Sequence, residues 1–127
     1  MKRFALHEPQ LRGNEKRYIG KCIDTSWLSS SGNFVNSFEK KLEIFTGSNV
    51  VCCNSGTSAL HISLIMAGVK KDQEVIVPNL TWIATAQPII SCGAKPILID
   101  NKPEIPLIND ELIQKKITRK TKGIIAV

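Results

Sequence analysis

Long apolar runs are missing from this chain. Lys, Asp, Glu or Asn interrupts every stretch before the roughly 18–20 residues that a membrane-spanning helix needs. The N-terminus, MKRFALHEPQ, has two basic residues and only a short apolar stretch before Glu8 and Pro9, so it does not read as a secretory signal. No C-x-x-C occurs, and neither His7 nor His61 stands at ligand spacing from Cys22, Cys52, Cys53 or Cys92. That argues against a zinc site and leaves the four thiols as small buried hydrophobes in a reducing compartment. Aromatic residues make up only 6% of the chain, too few to interleave a basic stripe as nucleic-acid binders do. The expectations are a cytoplasmic protein with no membrane, no nucleic acid and no metal.

What is present is a globular composition. The 127 residues are 43% apolar and 22% charged, enough to bury about two-thirds of the unfolded surface and hold a core. The net charge of +6 is unevenly spread. Residues 1–21 carry six Lys or Arg against Glu8 and Glu15, and residues 102–127 carry six against Glu104, Asp110 and Glu111. The centre, 22–101, is close to neutral, so the basic excess reads as solvated surface at the two ends.

Periodicity divides the chain into a helical segment, 1–48, and an α/β segment, 49–127. Beyond an extended start, Tyr18, Ile19, Cys22 and Ile23 lie at helical spacing behind Asn14 as a cap. Ser29 to Asn33 is a loop, and Phe34, Val35, Phe38, Leu42 and Phe45 form the stripe of a second helix that Gly47 ends. After Asn49, short apolar strands alternate with helices. Strands are predicted at Val50–Cys53, Glu74–Val77, Ile97–Ile99 and Ile124–Val127, and helices at Ser58–Ala67, Thr81–Ser91 (strained by Pro88) and Asp110–Ile117. Strands apolar on both faces and joined through helices indicate a mostly parallel sheet in an α/β fold. Ending at Val127 inside a β-run, the sequence reads as the N-terminal part of a longer protein.

The sharpest local motif is Asn54-Ser55-Gly56-Thr57-Ser58-Ala59-Leu60, between a predicted strand and a predicted helix. A small, hydroxyl-bearing turn at a helix start exposes backbone N–H groups, and the helix dipole favours an anion such as phosphate there. At the carboxyl end of a parallel strand, this is also where α/β folds place ligands. The sequence contains neither G-x-G-x-x-G nor G-x-x-x-x-G-K-[ST], so dinucleotide and P-loop readings lack their motif. The same residues also suit an ordinary Ser/Thr cap, and the motif alone leaves both readings open.

An ordered series of segments carries a resemblance. It comprises Gly13-Asn14-Glu15, the Ser-rich loop with Gly32, Phe38-Glu39, Asn54 to His61, Asp72 to Pro78, Thr81-Trp82-Ile83-Ala84-Thr85-Ala86, Gly93 to Pro96, Asp100, and Ile117 to Ile125. In that order the chain resembles the pyridoxal-phosphate-dependent sugar aminotransferases of the DegT/DnrJ/EryC1/StrS family, with perosamine-synthase-like and bacillosamine- or legionaminic-pathway enzymes the nearest in look. The resemblance implies the N-terminal part of a fold-type-I large domain, with residues 49–127 starting the cofactor domain. It implies that pyridoxal 5′-phosphate is the cofactor, its phosphate held by Gly56, Thr57 and Ser58. Trp82 matches the position where an aromatic ring stacks on the pyridine, for which an indole offers a large π-face. Ser31 and Gly32 match a region near the sugar-nucleotide substrate, though they also suit a plain surface loop.

The implied activity is transfer of an amino group from glutamate to a nucleotide-linked 4-keto-6-deoxyhexose for cell-surface polysaccharide, by a homodimer. No catalytic residue is assigned among residues 1–127. The family's Schiff-base lysine and the acid at the pyridine nitrogen both lie beyond the strand where this sequence ends, so the segment alone is expected to be inactive. Lys70, Lys71 and Lys95 sit in turns or at strand starts, Asp100 reads as structural, and His61 reads as packed. The rival readings are a nucleotide- or phosphate-binding α/β domain of another enzyme and a catalytically inactive remnant.

Overall fold

Helix α1, Glu15–Asp24, and helix α2, Asn33–Thr46, open the computed structural model, which describes residues 8–127. The extended start expected for residues 1–7, with His7 in it, lies outside the described residues. Both helices start and stop where their apolar stripes do. Asn14 precedes α1 but its side chain makes no cap, and Gly47 ends α2 in the left-handed region, its N–H on the Glu43 carbonyl. Within the segment 8–51, Tyr18 and Phe34 meet edge to face at 5.4 Å, and the Arg17 guanidinium lies 5.9 Å over the Tyr18 ring.

The chain divides into two compact units, 1–51 and 52–127. The second contains α3 (Gly56–Met66), β1 (Glu74–Pro78), α4 (Ile83–Ser91), β2 (Lys95–Ile99), α5 (Asp110–Lys116) and β3 (Thr121–Ile124). Its sheet is parallel throughout, in the order β2-β1-β3, with Ile76 opposite both Ile97 and Ile124. Central β1 is covered on both faces: Val75, Ile76 and Val77 are fully buried, as a parallel interior strand requires. Val75 and Val77 pack with Leu64 of α3, Val69, Ile89 of α4 and Ala94, so one core holds α3 and α4 on a single face of the sheet. Gly93, at φ 70°, turns the chain out of α4 so that Ala94 N–H returns to the Ile89 carbonyl and β2 can begin.

Four expectations besides the Asn14 cap are corrected. Residues 50–53 form no strand, and Val51 is largely exposed. A strand exists only where a partner completes its ladder, and among the described residues β2, β1 and β3 pair with one another alone. The last strand starts three residues early, at Thr121, because Glu74 N–H takes the Lys120 carbonyl and draws that end into the ladder; Ile125 keeps one bond, to Ile76. The helix predicted from Thr81 begins at Ile83, with Pro88 inside it and fully buried. All four cysteines are reduced but half-buried, not fully buried; Cys92 sits at the margin of the core and packs against it.

Candidate functional site

The turn before α3 is built by one side chain. Ser55 adopts an extended conformation, caps the helix, and its Oγ accepts from Ser58 N–H at 3.2 Å and lies 3.0 Å from Ser58 Oγ. Ala59 N–H takes the Ser55 carbonyl, closing the first turn. The N–H groups of Gly56 and Thr57 are then left without a partner among the described residues, since a helix offers its first amides none. No acidic side chain lies in that first turn to neutralise the dipole. Gly56 is exposed, and a Cβ added there would meet open space, while Thr57 is half-buried. The helix start therefore combines two free donors, two hydroxyls and an uncompensated positive end, the chemistry that attracts a phosphate.

Trp82 stands at the other prepared position. It is 84% exposed, directly before α4 and four residues beyond the end of β1, so it lies at the carboxyl end of the sheet. An indole that buries so little of its surface contributes little to the core, which removes the ordinary structural reason for a Trp. Gly56, Thr57, Ser58 and Trp82 all start helices of one unit, and those two helices, α3 and α4, pack against each other.

Ser31 and Gly32 belong to the other unit. The Ser31 carbonyl accepts from Trp27 Nε1, which closes the loop between α1 and α2. Gly32, at φ 146°, lies directly under the indole of Trp27, where an added Cβ would collide with Nε1. No side chain but hydrogen fits there. Asp100, at the end of β2, holds the following loop through its carbonyl, which accepts Asn109 N–H at 3.3 Å. His61 is half-buried on α3. Among the described residues no three His, Cys, Asp or Glu side chains converge, and no helix is long and apolar enough to cross a membrane.

The sequence reading passed over Asn101. Its Oδ1 accepts from Leu80 N–H at 3.0 Å across a separation of 21 residues, which only the pairing of β1 with β2 makes possible.

Fold and turns together define a class: a parallel α/β domain of the fold-type-I aminotransferase large domain, with an anion-attracting helix start and an exposed aromatic. The protein Spr1654 of Streptococcus pneumoniae, solved in its PMP form, superposes with a TM-score of 0.85 at 30% identity, over 93% of this chain and 30% of its own. The chain belongs to the DegT/DnrJ/EryC1/StrS aminotransferase family, which it matches over residues 9–127. GDP-perosamine synthase of Caulobacter vibrioides is 41% identical over 98% of this chain and 34% of its own length. GDP-perosamine synthase of Escherichia coli O157:H7 is 40% identical over 100% of this chain and 35% of its own. The chain thus spans about a third of the length of the curated relatives it matches.

Proposed function

We propose that this chain supplies the phosphate turn and the stacking ring of a pyridoxal-phosphate-dependent sugar aminotransferase. The observation that carries the reading is the pair of unpartnered amides at Gly56 and Thr57, at the start of α3, in a chain of an aminotransferase family. The residues fit the cofactor. Gly56 and Thr57 would donate backbone N–H groups to its phosphate, Ser58 would add a hydroxyl, and Trp82 would lay its ring against the pyridine. When bound, pyridoxal phosphate supplies an electron sink for amino-group transfer. The chain's own contribution is to anchor and orient. Ser55 draws one amide and one hydroxyl of the turn into fixed directions, and the indole defines a plane.

The proposed substrate is a nucleotide-linked 4-keto-6-deoxyhexose, a reading that relatives named GDP-perosamine synthase support, and the proposal extends to glutamate as amino donor, a cytoplasmic location and a role in cell-surface polysaccharide. In this reading the N-terminal helical segment ends at residue 48, and 49–127 begin the cofactor domain. Ser31 and Gly32 contribute to sugar-nucleotide binding through the loop that Trp27 closes. The exposed side chains of Ile44 and Phe45 on α2 support a homodimer, because such apolar surface is normally covered.

Two measurements test this. Pyridoxal phosphate titrated into the protein should quench Trp82 fluorescence, and Trp82→Ala should weaken cofactor binding about tenfold, the upper end of what an aromatic contact contributes. Incubation of residues 1–127 with pyridoxal phosphate, a GDP-linked 4-keto-6-deoxyhexose and glutamate should give no amino sugar by mass spectrometry, because no catalytic lysine is assigned among them. Unchanged affinity in both Trp82→Ala and Thr57→Pro, whose ring removes the amide, would contradict the assignment of the site.

A further inference from the structure

We infer that Asn101 is a positioning residue for Trp82, fixing the backbone from which the indole is presented. The inference rests on the stacking reading for its functional meaning and on separate observations for its geometry. At 84% exposure, Trp82 has little packing of its own to set its ring plane, so its direction is inherited from the main chain. That main chain is pinned on both sides.

Downstream, Thr81 Oγ1 lies 2.9 Å from Thr85 Oγ1, and Thr85 N–H takes the Trp82 carbonyl at 2.9 Å. Upstream, Asn79 N–H takes the Ile99 carbonyl at 2.8 Å, the final rung beyond the Pro78–Ile99 pair. Leu80 lies beyond the end of β1, where no strand carbonyl accepts its N–H. The side chain of Asn101 supplies the acceptor: its Oδ1 takes that N–H and holds Leu80, two positions before Trp82.

Asn101 is itself held. It bridges Ile108 in antiparallel sense, Lys102 N–H takes the Leu107 carbonyl at 2.9 Å, and Asn109 N–H takes the Asp100 carbonyl. The loop 100–109 therefore folds back on itself behind the amide. The amide's orientation follows from its partner, since a backbone N–H needs an acceptor and only Oδ1 provides one. That choice leaves Nδ2 buried and without a partner among the described residues, which is unfavourable. The acceptor is thus used at the expense of the donor, and Asn101→Asp would keep the acceptor while removing the unpartnered donor.

The test uses the protein in a Trp27→Phe background, where Trp82 is the remaining Trp of the two in the described sequence. Asn101→Ala should speed amide exchange at Leu80 about five- to tenfold, the worth of one hydrogen bond, and leave Val77 in the central strand protected. In the same variant, time-resolved anisotropy should show Trp82 moving more freely. Asn101→Asp, which keeps the acceptor, should restore both. Unchanged exchange at Leu80 in Asn101→Ala overturns the inference, as does faster exchange with no gain in Trp82 mobility. Neither readout needs cofactor. Absence of Trp82 quenching by pyridoxal phosphate in the Trp27→Phe parent would therefore refute the stacking reading separately.

Discussion

Ser55 and Ser58 differ in what they do for the same turn, and under the proposed function the difference separates folding from binding. Ser55 Oγ is the cap of α3; Ser55→Ala removes the acceptor for Ser58 N–H and should lower stability by about 1 kcal/mol in denaturant unfolding. Ser58→Ala keeps the backbone amide and the cap, so it should leave stability within about 0.5 kcal/mol while weakening cofactor affinity. Gly32 is constrained by geometry instead. A methyl there would collide with the Trp27 indole at a backbone angle that side chains avoid, and Gly32→Ala should cost about 1–3 kcal/mol or open the loop that carries Ser31. Trp27→Phe in the same protein should remove the hydrogen bond to Ser31 and part of the clash, so the two changes together should cost less than their sum.

At the scale of elements, α5 is tied at its start by charge. Lys102 Nζ lies 2.6 Å from Asp110 Oδ1, and this hydrogen bond holds the Asp110 carboxyl below its ordinary range and raises Lys102. A carboxyl lowered on folding adds stability above its unfolded pKa, and that stability is lost as pH falls through the folded value. Acid should therefore loosen the first turn of α5, and Lys102→Met should return Asp110 to the ordinary carboxylate range in an NMR titration. Both groups are exposed, so added salt should shrink the shift.

Elements differed in how far the sequence disclosed them. Helices α1 to α5 were legible because their apolar spacing and their stops, Gly47 and Gly68 among them, are local signals. β1 was legible as an apolar run closed by Pro78. Residues 50–53 looked the same and are not a strand, because pairing depends on a partner elsewhere in the chain, which no local pattern reports. The turn at Gly56, Thr57 and Ser58 could be read from its motif, and the exposure of Trp82 could not. Asn101 was invisible for the same reason as the missing strand: its bond to Leu80 exists only once β1 and β2 are in register.

At the scale of the molecule, one buried cluster around Val75, Val77 and Ile89 holds the sheet and the two helices of the proposed site, α3 and α4. Ile89→Ala should therefore cost about 2–5 kcal/mol and loosen the turns before α3 and α4 together, seen as a loss of amide protection in both. The account depends most on where the cofactor's phosphate sits. The most direct measurement is a crystal structure of the protein loaded with pyridoxal phosphate. The account predicts phosphate oxygens on the amides of Gly56 and Thr57 and on Ser58 Oγ, with the ring of Trp82 parallel to the pyridine. A phosphate held by other residues, with the start of α3 bare, would contradict it.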